Sequence, residues 1–186
     1  IEIRKILEKY DTSGKIRIIA KIENGLYSPL VVLKNKKVKI MTLPNVAYFS
    51  MEIAMDQSLS TYSGGLGFLA GSHMLSAGYL QMPMVGVTML WSYGYYDQRI
   101  DHSGNVEVAY IRKYYDYLED TGITVEVDTF GERVKVKAYK VNPVLFGTCP
   151  VYLLTTDIDG NSDWAKSISH RLYDGNERIR IAKETI

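Results

Sequence analysis

The sequence predicts an α/β domain, and three observations carry that prediction. Val46-Ala47-Tyr48-Phe49-Ser50 is a compact apolar run with the profile of a buried parallel strand. A turn, Gly64-Gly65-Leu66-Gly67, opens a stripe of Leu66, Leu69, Ala70, His73, Ala77 and Leu80 at helical spacing, so residues 67–81 are expected to be a helix that stops before Pro83. Met84 to Trp91 is a second apolar run of strand length. Strand, polar loop (Asp56 to Ser63), helix and strand in that order make a βαβ crossover, which brings two parallel strands together.

The segment before this unit has a different character. Ile3, Ile6, Leu7 and Tyr10 put one apolar side on a short helix over residues 1–10. From Lys15 to Met41 the pattern is β. Ile16 to Ile22 turns at Asn24-Gly25 into Leu30 to Leu33, and a turn at Asn35 to Lys37 leads to Val38-Lys39-Ile40. Residues 1–45 are thus expected to be a small helix plus an antiparallel β appendage, and 46–186 the main α/β domain. Lysines along the appendage strands protect their edges from aggregation. Downstream, Thr124 to Asp128 and Arg133 to Ala138 alternate with period two around Phe130-Gly131-Glu132, which predicts a hairpin. Cys149 to Thr155 reads as a buried strand and residues 157–164 as a loop. The first residue is Ile rather than Met, so the chain is expected to be processed, trimmed or an excerpt of something longer; Asp174 to Ile186 reads as a capped helix start that runs off the end, which favours the excerpt.

Composition narrows the function classes. With 22 basic and 21 acidic residues in 186, formal net charge is +1, so no global field draws in nucleic acid or an anionic membrane. No apolar stretch is long enough to span a bilayer. Cys149 stands alone, which excludes an internal disulfide framework and fits a reducing, cytoplasmic compartment.

The glycine turn is the feature with chemistry. Adjacent glycines permit backbone angles closed to other residues and let a ligand touch the main chain. The first N–H groups of a helix lack internal partners and carry the positive end of its dipole, so a phosphate or a sugar hydroxyl is their natural occupant. A P-loop is excluded, because Phe68 and Leu69 follow Gly67 where Lys and Ser or Thr are needed. Gly65, Gly67 and Ala70 satisfy the dinucleotide spacing, but a loop separates Ser50 from Gly64 and no acid follows the second strand until Asp97.

Other polar and aromatic residues offer further candidates by type and setting. Glu52, just past the first strand, orients polar groups at a cleft or serves as a structural carboxylate. His73 falls on the apolar stripe and reads as a packing histidine. His102 lies in an exposed turn, and His170 has no carboxylate at a recognisable spacing. No histidine pair has metal-ligand spacing. Asp157, Asp159, Asn161 and Asp163 alternate like a calcium loop, but Gly160 is misplaced and Ile168 stands where a bidentate Glu is required, so a solvated loop is expected. Arg180 and Glu184 are spaced for a surface pair. Trp91, Tyr93, Tyr95 and Tyr96, among 15 tyrosines, cluster past a strand end, where α/β sheets bind ligands and aromatic faces suit sugars. Cys149 is expected to be buried and inert.

Five stretches in order resemble one family. They are Tyr48 to Ala54, Thr61 to Gly71, Tyr93 to Asp101, Pro150 to Asp157 and Arg171 to Glu184, and together they resemble the α-glucan (glycogen, starch, maltodextrin) phosphorylases, especially the shorter prokaryotic form. The resemblance runs from Val46 to the C-terminus; residues 1–45 match nothing in it. It implies a partial Rossmann-like N-terminal domain of a GT-B type glycosyltransferase. The implied activity is phosphorolysis of α-1,4-glucan to glucose 1-phosphate with retained configuration, with pyridoxal phosphate serving through its phosphate group. Gly64, Gly65, Leu66 and Gly67 would bind substrate phosphate and glucose through their main-chain N–H groups. Glu52, Tyr93, Tyr96 and Arg180 would line the cleft. The family's cofactor-bearing lysine lies in a second domain, so its counterpart, and every catalytic group, falls outside this chain, which is then inactive by itself. The implied partners are α-1,4-glucan, inorganic phosphate and the missing C-terminal domain, and an uncovered sheet edge invites a homo-oligomer. Ser72 and Lys183 depart from the pattern, which usually has an acid and Gln there. Two alternatives are a non-catalytic carbohydrate-binding or interaction module on the same βαβ unit, and a synthase-type glucosyltransferase, against which Tyr62-Ser63 speaks because Lys-Thr is expected there.

Overall fold

The computed structural model describes residues 16–23, 26–33 and 45–186. The chain divides into two compact units, Ile1–Asn45 and Val46–Ile186. In the first, β1 (Ile16–Glu23) and β2 (Leu26–Leu33) pair antiparallel from Ile16 opposite Leu33 to Glu23 opposite Leu26. The expected helix over 1–10, the Asn24-Gly25 turn and the strand at Val38 to Ile40 lie outside the described residues.

The second unit is built on one mixed sheet. Its elements in chain order are β3 (Val46–Phe49), α1 (Gly65–Tyr79), β4 (Met84–Met89), β5 (Asp97–Ile100), β6 (Val106–Ala109), β7 (Glu119–Thr129), β8 (Glu132–Val141), α2 (Pro143–Phe146), β9 (Val151–Thr155), α3 (Asp163–Ser167) and α4 (Glu177–Thr185). The sheet runs β3-β4-β9-β8-β7. β3, β4 and β9 are parallel, and β8 and β7 continue the sheet antiparallel. The βαβ crossover is thus present. The predicted hairpin is longer than its alternating core and is part of the main sheet rather than an appendage. Its two-residue turn, Phe130-Gly131, has φ of 49° and 78°, which suits the twist of the flanking strands. β5 and β6 form a separate two-stranded ribbon.

Several expectations are corrected by the packing. β3 is parallel but not buried: it is the edge strand of its sheet, no strand among the described residues pairs with its outer side, and Phe49 is 74% exposed. Helix α1 begins at Gly65, so two of the turn's glycines lie within its first turn. Its buried residues are Gly67, Ala70, Gly71, Met74 and Ala77, while Leu66, Leu69 and Leu80 are exposed. The leucine stripe therefore faces outward and a small-residue stripe faces the sheet. His73 goes with the leucines: it is exposed, with its ring 5.2 Å from that of Tyr48 on the edge strand.

The reason is close backbone approach. The N–H of Ala54 donates to the carbonyl of Gly67 at 2.9 Å. A Cβ on Gly71 would lie 1.8 Å from the Ala54 carbonyl oxygen, and one on Gly78 would lie 2.4 Å from the Thr148 carbonyl carbon. Larger side chains on this face would push the helix off the sheet. The main core gathers beneath it from Ile53, Leu59, Ala70, Met74, Val141, Val151 and Leu153. Cys149 belongs to this core, and burial pushes its thiol above the ordinary range. On the other face, Val134 packs with Ala165, Ile168 and Ala182. The expected loop at 157–164 runs into α3, whose N-cap Ser162 accepts from the N–H of Ala165.

Candidate functional site

Three parallel strands end on one edge of the sheet, and the candidate residues collect there. Past β3 comes Glu52, past β4 come Trp91 to Tyr93, and past β9 comes Asp157. Open α/β sheets bind ligands at this edge.

Glu52 organises the glycine turn. Its side chain is almost wholly buried. Oε2 accepts the N–H of Ser63 at 2.9 Å and that of Gly64 at 3.4 Å, and the Ser63 hydroxyl reaches both carboxylate oxygens at 3.3 Å. The Tyr173 hydroxyl donates to Oε1. Burial alone would raise the Glu52 carboxyl, but the bonds from Tyr173, Ser63 and Gly64 outweigh it and hold it below the ordinary value. Tyr173 is correspondingly raised and keeps its proton. The loop between stays in register because Ile53 N–H donates to Thr61 O at 3.1 Å and the Thr61 hydroxyl donates back to Ile53 O at 2.6 Å.

The turn itself divides into two parts. The N–H groups of Ser63 and Gly64 point at Glu52. Those of Gly65, Leu66 and Gly67 have no acceptor among the described residues, because the first intrahelical bond runs from Phe68 N–H to Gly64 O. Gly65 and Leu66 are exposed, whereas Gly67 is buried. The glycines divide in the same way. A Cβ on Gly67 would lie 2.4 Å from Tyr62 Cβ, so packing demands a glycine there. A Cβ on Gly64 or Gly65 would meet nothing within 4 Å. Neither has a positive φ, and Gly64 is extended at −160°. The backbone-angle argument made from sequence therefore does not hold at these two positions: the fold requires glycine at 67, 71 and 78, but not at 64 or 65.

An aromatic group flanks the turn. Tyr95 lies 4.2 Å from Tyr96 and 5.6 Å from Tyr173, ring centre to ring centre, and Tyr173 is bonded to Glu52. Tyr96 is thus linked to the turn through this series. Trp91 is not part of it, because its ring is fully buried and its indole N–H donates to Met51 O at 3.3 Å. Tyr93 sits elsewhere on the edge, edge-on to His170 at 5.3 Å and beneath the Arg112 guanidinium at 5.8 Å. Arg180 is exposed on α4, and its side chain has no hydrogen bond or ion pair among the described residues. The expected pair with Glu184 does not form. The structure therefore joins Gly64 to Gly67, Glu52 and, through Tyr95 and Tyr173, Tyr96, and it does not join Tyr93 or Arg180 to them.

Sequence reasoning missed a second polar cluster. The Asp157 side chain, 9% exposed, accepts the Ser92 hydroxyl at 2.6 Å and the Arg112 guanidinium at 2.6 Å, with His170 Nε2 at 3.6 Å. His170 thus has a carboxylate partner, 13 positions away, that no spacing rule reveals. Burial lowers its pKa more than Asp157 raises it, so the ring is neutral at pH 7. The expected solvated loop is also corrected at Asn161, whose side chain holds Lys135 N–H and O and Thr156 O. No group of three or more acidic, His or Cys residues among those described is arranged to hold a metal ion. No described helix is long and apolar enough to cross a membrane.

No family model matches the chain. It is 55% identical over 140 residues to an uncharacterized protein of Methanocaldococcus jannaschii, covering 75% of this chain and 27% of that protein. It is 33% identical over 152 residues to a glycogen phosphorylase of Mycobacterium tuberculosis, covering 76% of this chain and 17% of that protein. It is 32% identical over 149 residues to a maltodextrin phosphorylase of Thermococcus litoralis, covering 76% of this chain and 18% of that protein. The chain thus spans little more than a quarter of the first relative's length and less of the other two. Over three quarters of its own length it is similar to proteins named glycogen and maltodextrin phosphorylase.

Proposed function

We propose that this chain is the glycine-turn portion of an α-glucan phosphorylase, within an incomplete Rossmann-like N-terminal domain of GT-B type. The single observation that carries the reading is the pair Gly64 and Gly65, glycines that neither φ nor packing requires, beside N–H groups of the exposed residues Gly65 and Leu66 that have no acceptor among the described residues. Similarity to glycogen and maltodextrin phosphorylases supplies the chemical class.

In this reading the N–H groups of Gly65 and Leu66 meet the substrate phosphate or a glucose hydroxyl. Fixed dipoles of this kind stabilise charge as it develops and need no reorganisation at the moment of reaction. Glu52 acts as a positioning residue: by holding Ser63 and Gly64 it fixes where the next two amides point. Pyridoxal phosphate in this family supplies a phosphate group for proton transfer. The open amides fit a phosphate, whereas the buried lysine among the described residues, Lys183, donates from Nζ to Arg171 O at 2.6 Å. The lysine that bears the cofactor then belongs to a part of the parent protein beyond this chain, and the chain alone does not turn over glucan.

Assays of glucose 1-phosphate release test this. The isolated chain with phosphate, maltoheptaose and pyridoxal phosphate is expected to give none, and the parent polypeptide is expected to give it. In the parent, Gly65→Val is expected to lower kcat/KM for phosphate about 100-fold, the scale of losing one oxyanion donor, with thermal stability unchanged because position 65 has open space. An unaltered kcat/KM, or a parent that binds maltoheptaose without turnover, would remove the phosphorylase reading.

A further inference from the structure

Tyr173 reaches Glu52 from 121 positions away, and the main chain that carries it is fixed on its own account. Residues 169–172 lie against 92–94. Ser92 N–H donates to Ser169 O at 2.9 Å, Tyr93 N–H to His170 O at 2.8 Å, and Leu172 N–H to Gly94 O at 2.9 Å. Lys183 Nζ, on α4, donates to Arg171 O at 2.6 Å, and the Leu172 side chain is buried with Met89 and Trp91. The Tyr173 ring meets that of Tyr95 edge-on at 5.6 Å. The hydroxyl is therefore placed before it meets the carboxylate.

The ring is 54% exposed, so it adds little to the core. Its distinctive contribution is a bond to Glu52 Oε1, the oxygen that the turn's amides leave free, while Oε2 accepts Ser63 N–H at 2.9 Å and Gly64 N–H at 3.4 Å. The Ser63 hydroxyl reaches both oxygens at 3.3 Å. From α1, Gly67 packs against the carboxylate: a Cβ there would lie 3.2 Å from Oε2. No other side chain among the described residues bonds to this carboxylate, and Tyr95 is the titratable neighbour of Tyr173. The terminal torsion of a glutamate is broad when free; here both oxygens are engaged, so it is fixed. Gly64 has most to lose from its release. Its amide makes the longer bond to Oε2, and its carbonyl accepts the first helical bond, from Phe68 N–H at 3.2 Å. It links the held amides to the open ones.

We propose that Tyr173 is a positioning residue for the glycine turn: by donating to Glu52 Oε1 it locks the carboxylate that holds Ser63 and Gly64, and so sets the direction of the Gly65 and Leu66 amides. This role rests on the reading of those amides as a phosphate site, and the test separates the two. Inorganic phosphate is titrated into the full chain while amide shifts are followed at Gly65 and Leu66. A second titration, with acid and no phosphate, follows Ser63 and Gly64, whose shifts report protonation of Glu52. Tyr173→Phe keeps the ring and removes only the hydroxyl. It is expected to weaken phosphate binding about tenfold and to raise the acid midpoint, because the charged carboxylate loses a donor. In Glu52→Gln, adding Tyr173→Phe is expected to change affinity less than about twofold, since both act through one group. Unshifted amides at Ser92 and Leu172 show that the carrying segment stays in place.

Unchanged phosphate affinity in Tyr173→Phe overturns the role even if the midpoint moves, because the bond would then be structural only. Weaker binding with an unmoved midpoint, or a full further loss in Glu52→Gln, also overturns it, because the effect would not run through Glu52. A wild-type chain that gives no phosphate response at Gly65 and Leu66 sinks the glycine-turn reading and this role together. A normal wild-type response matched by Tyr173→Phe sinks the role alone.

Discussion

Gly71→Ala is expected to destabilise the protein by about 3 kcal/mol, although alanine is the better helix former. The added Cβ would lie 1.8 Å from the Ala54 carbonyl oxygen, with the carbonyl carbon at 2.7 Å. Both are backbone atoms, so no rotamer change relieves the clash; the helix must move off the sheet or the 50s loop must shift. Moving the helix stretches the bond from Ala54 N–H to Gly67 O and opens the layer of Met74 and Ala77 against Val151 and Leu153. Gly65→Ala is the internal control. Its Cβ enters open space in the first helical turn, so the lower entropy of the unfolded chain makes it neutral or stabilising by up to about 1 kcal/mol. Urea unfolding of both variants measures the contrast. Equal stability of Gly71→Ala and wild type would show that the backbones are not in the contact described.

Lys183→Met is expected to stabilise the protein at pH 7. The ammonium group is buried against Trp91, with its Nζ 5.2 Å from the ring centre, and it forms no ion pair among the described residues. Burial lowers its pKa to about 8; Asp174 opposes this, and Arg171 and Arg180 add to it. The unfolded value is near 10.5. Because the folded pKa lies below the unfolded one, the unfolded chain binds more protons between the two, and stability rises with pH across that window. Below about pH 8 the full penalty applies, on the order of 3 kcal/mol for a shift of this size. Removing the ammonium also strips Arg171 O of its donor, which costs roughly 1 kcal/mol, so the net gain at pH 7 is about 2 kcal/mol. That gain should shrink as pH is raised from 8 to 10.5. Urea midpoints of both proteins at pH 7 and pH 10 decide it; a pH-independent difference would mean that the Lys183 ammonium is not penalised by burial.

Much of the architecture was legible from sequence, for reasons visible in single residues. Apolar runs flanking a glycine turn gave the βαβ order, and Phe130-Gly131 between alternating strands gave the hairpin, because local chemistry decides both. The face of α1 was not legible. Periodicity finds large apolar side chains, and this helix buries glycines and alanines so that its backbone can touch the 50s loop. A stripe of Gly67, Gly71 and Gly78 was present to be read, but only the partner backbone explains it. The edge position of β3 was equally hidden, since an apolar strand looks the same whether or not a neighbour pairs with it. In the site, the turn was found by composition. The Glu52 to Tyr173 bond spans 121 positions and the Arg112 to Asp157 pair 45, and no periodic rule reaches across such distances.

The central claim is that two exposed main-chain amides, Gly65 and Leu66, wait for an anionic or hydroxyl oxygen while their neighbours are held by Glu52. Titrating the full chain with inorganic phosphate and following its amide resonances tests this most directly. The account predicts saturable shifts largest at Gly65 and Leu66, with Ser63 and Gly64 moving little because Glu52 keeps them. Shifts spread evenly over the surface, or largest at Ser63 and Gly64, would contradict it.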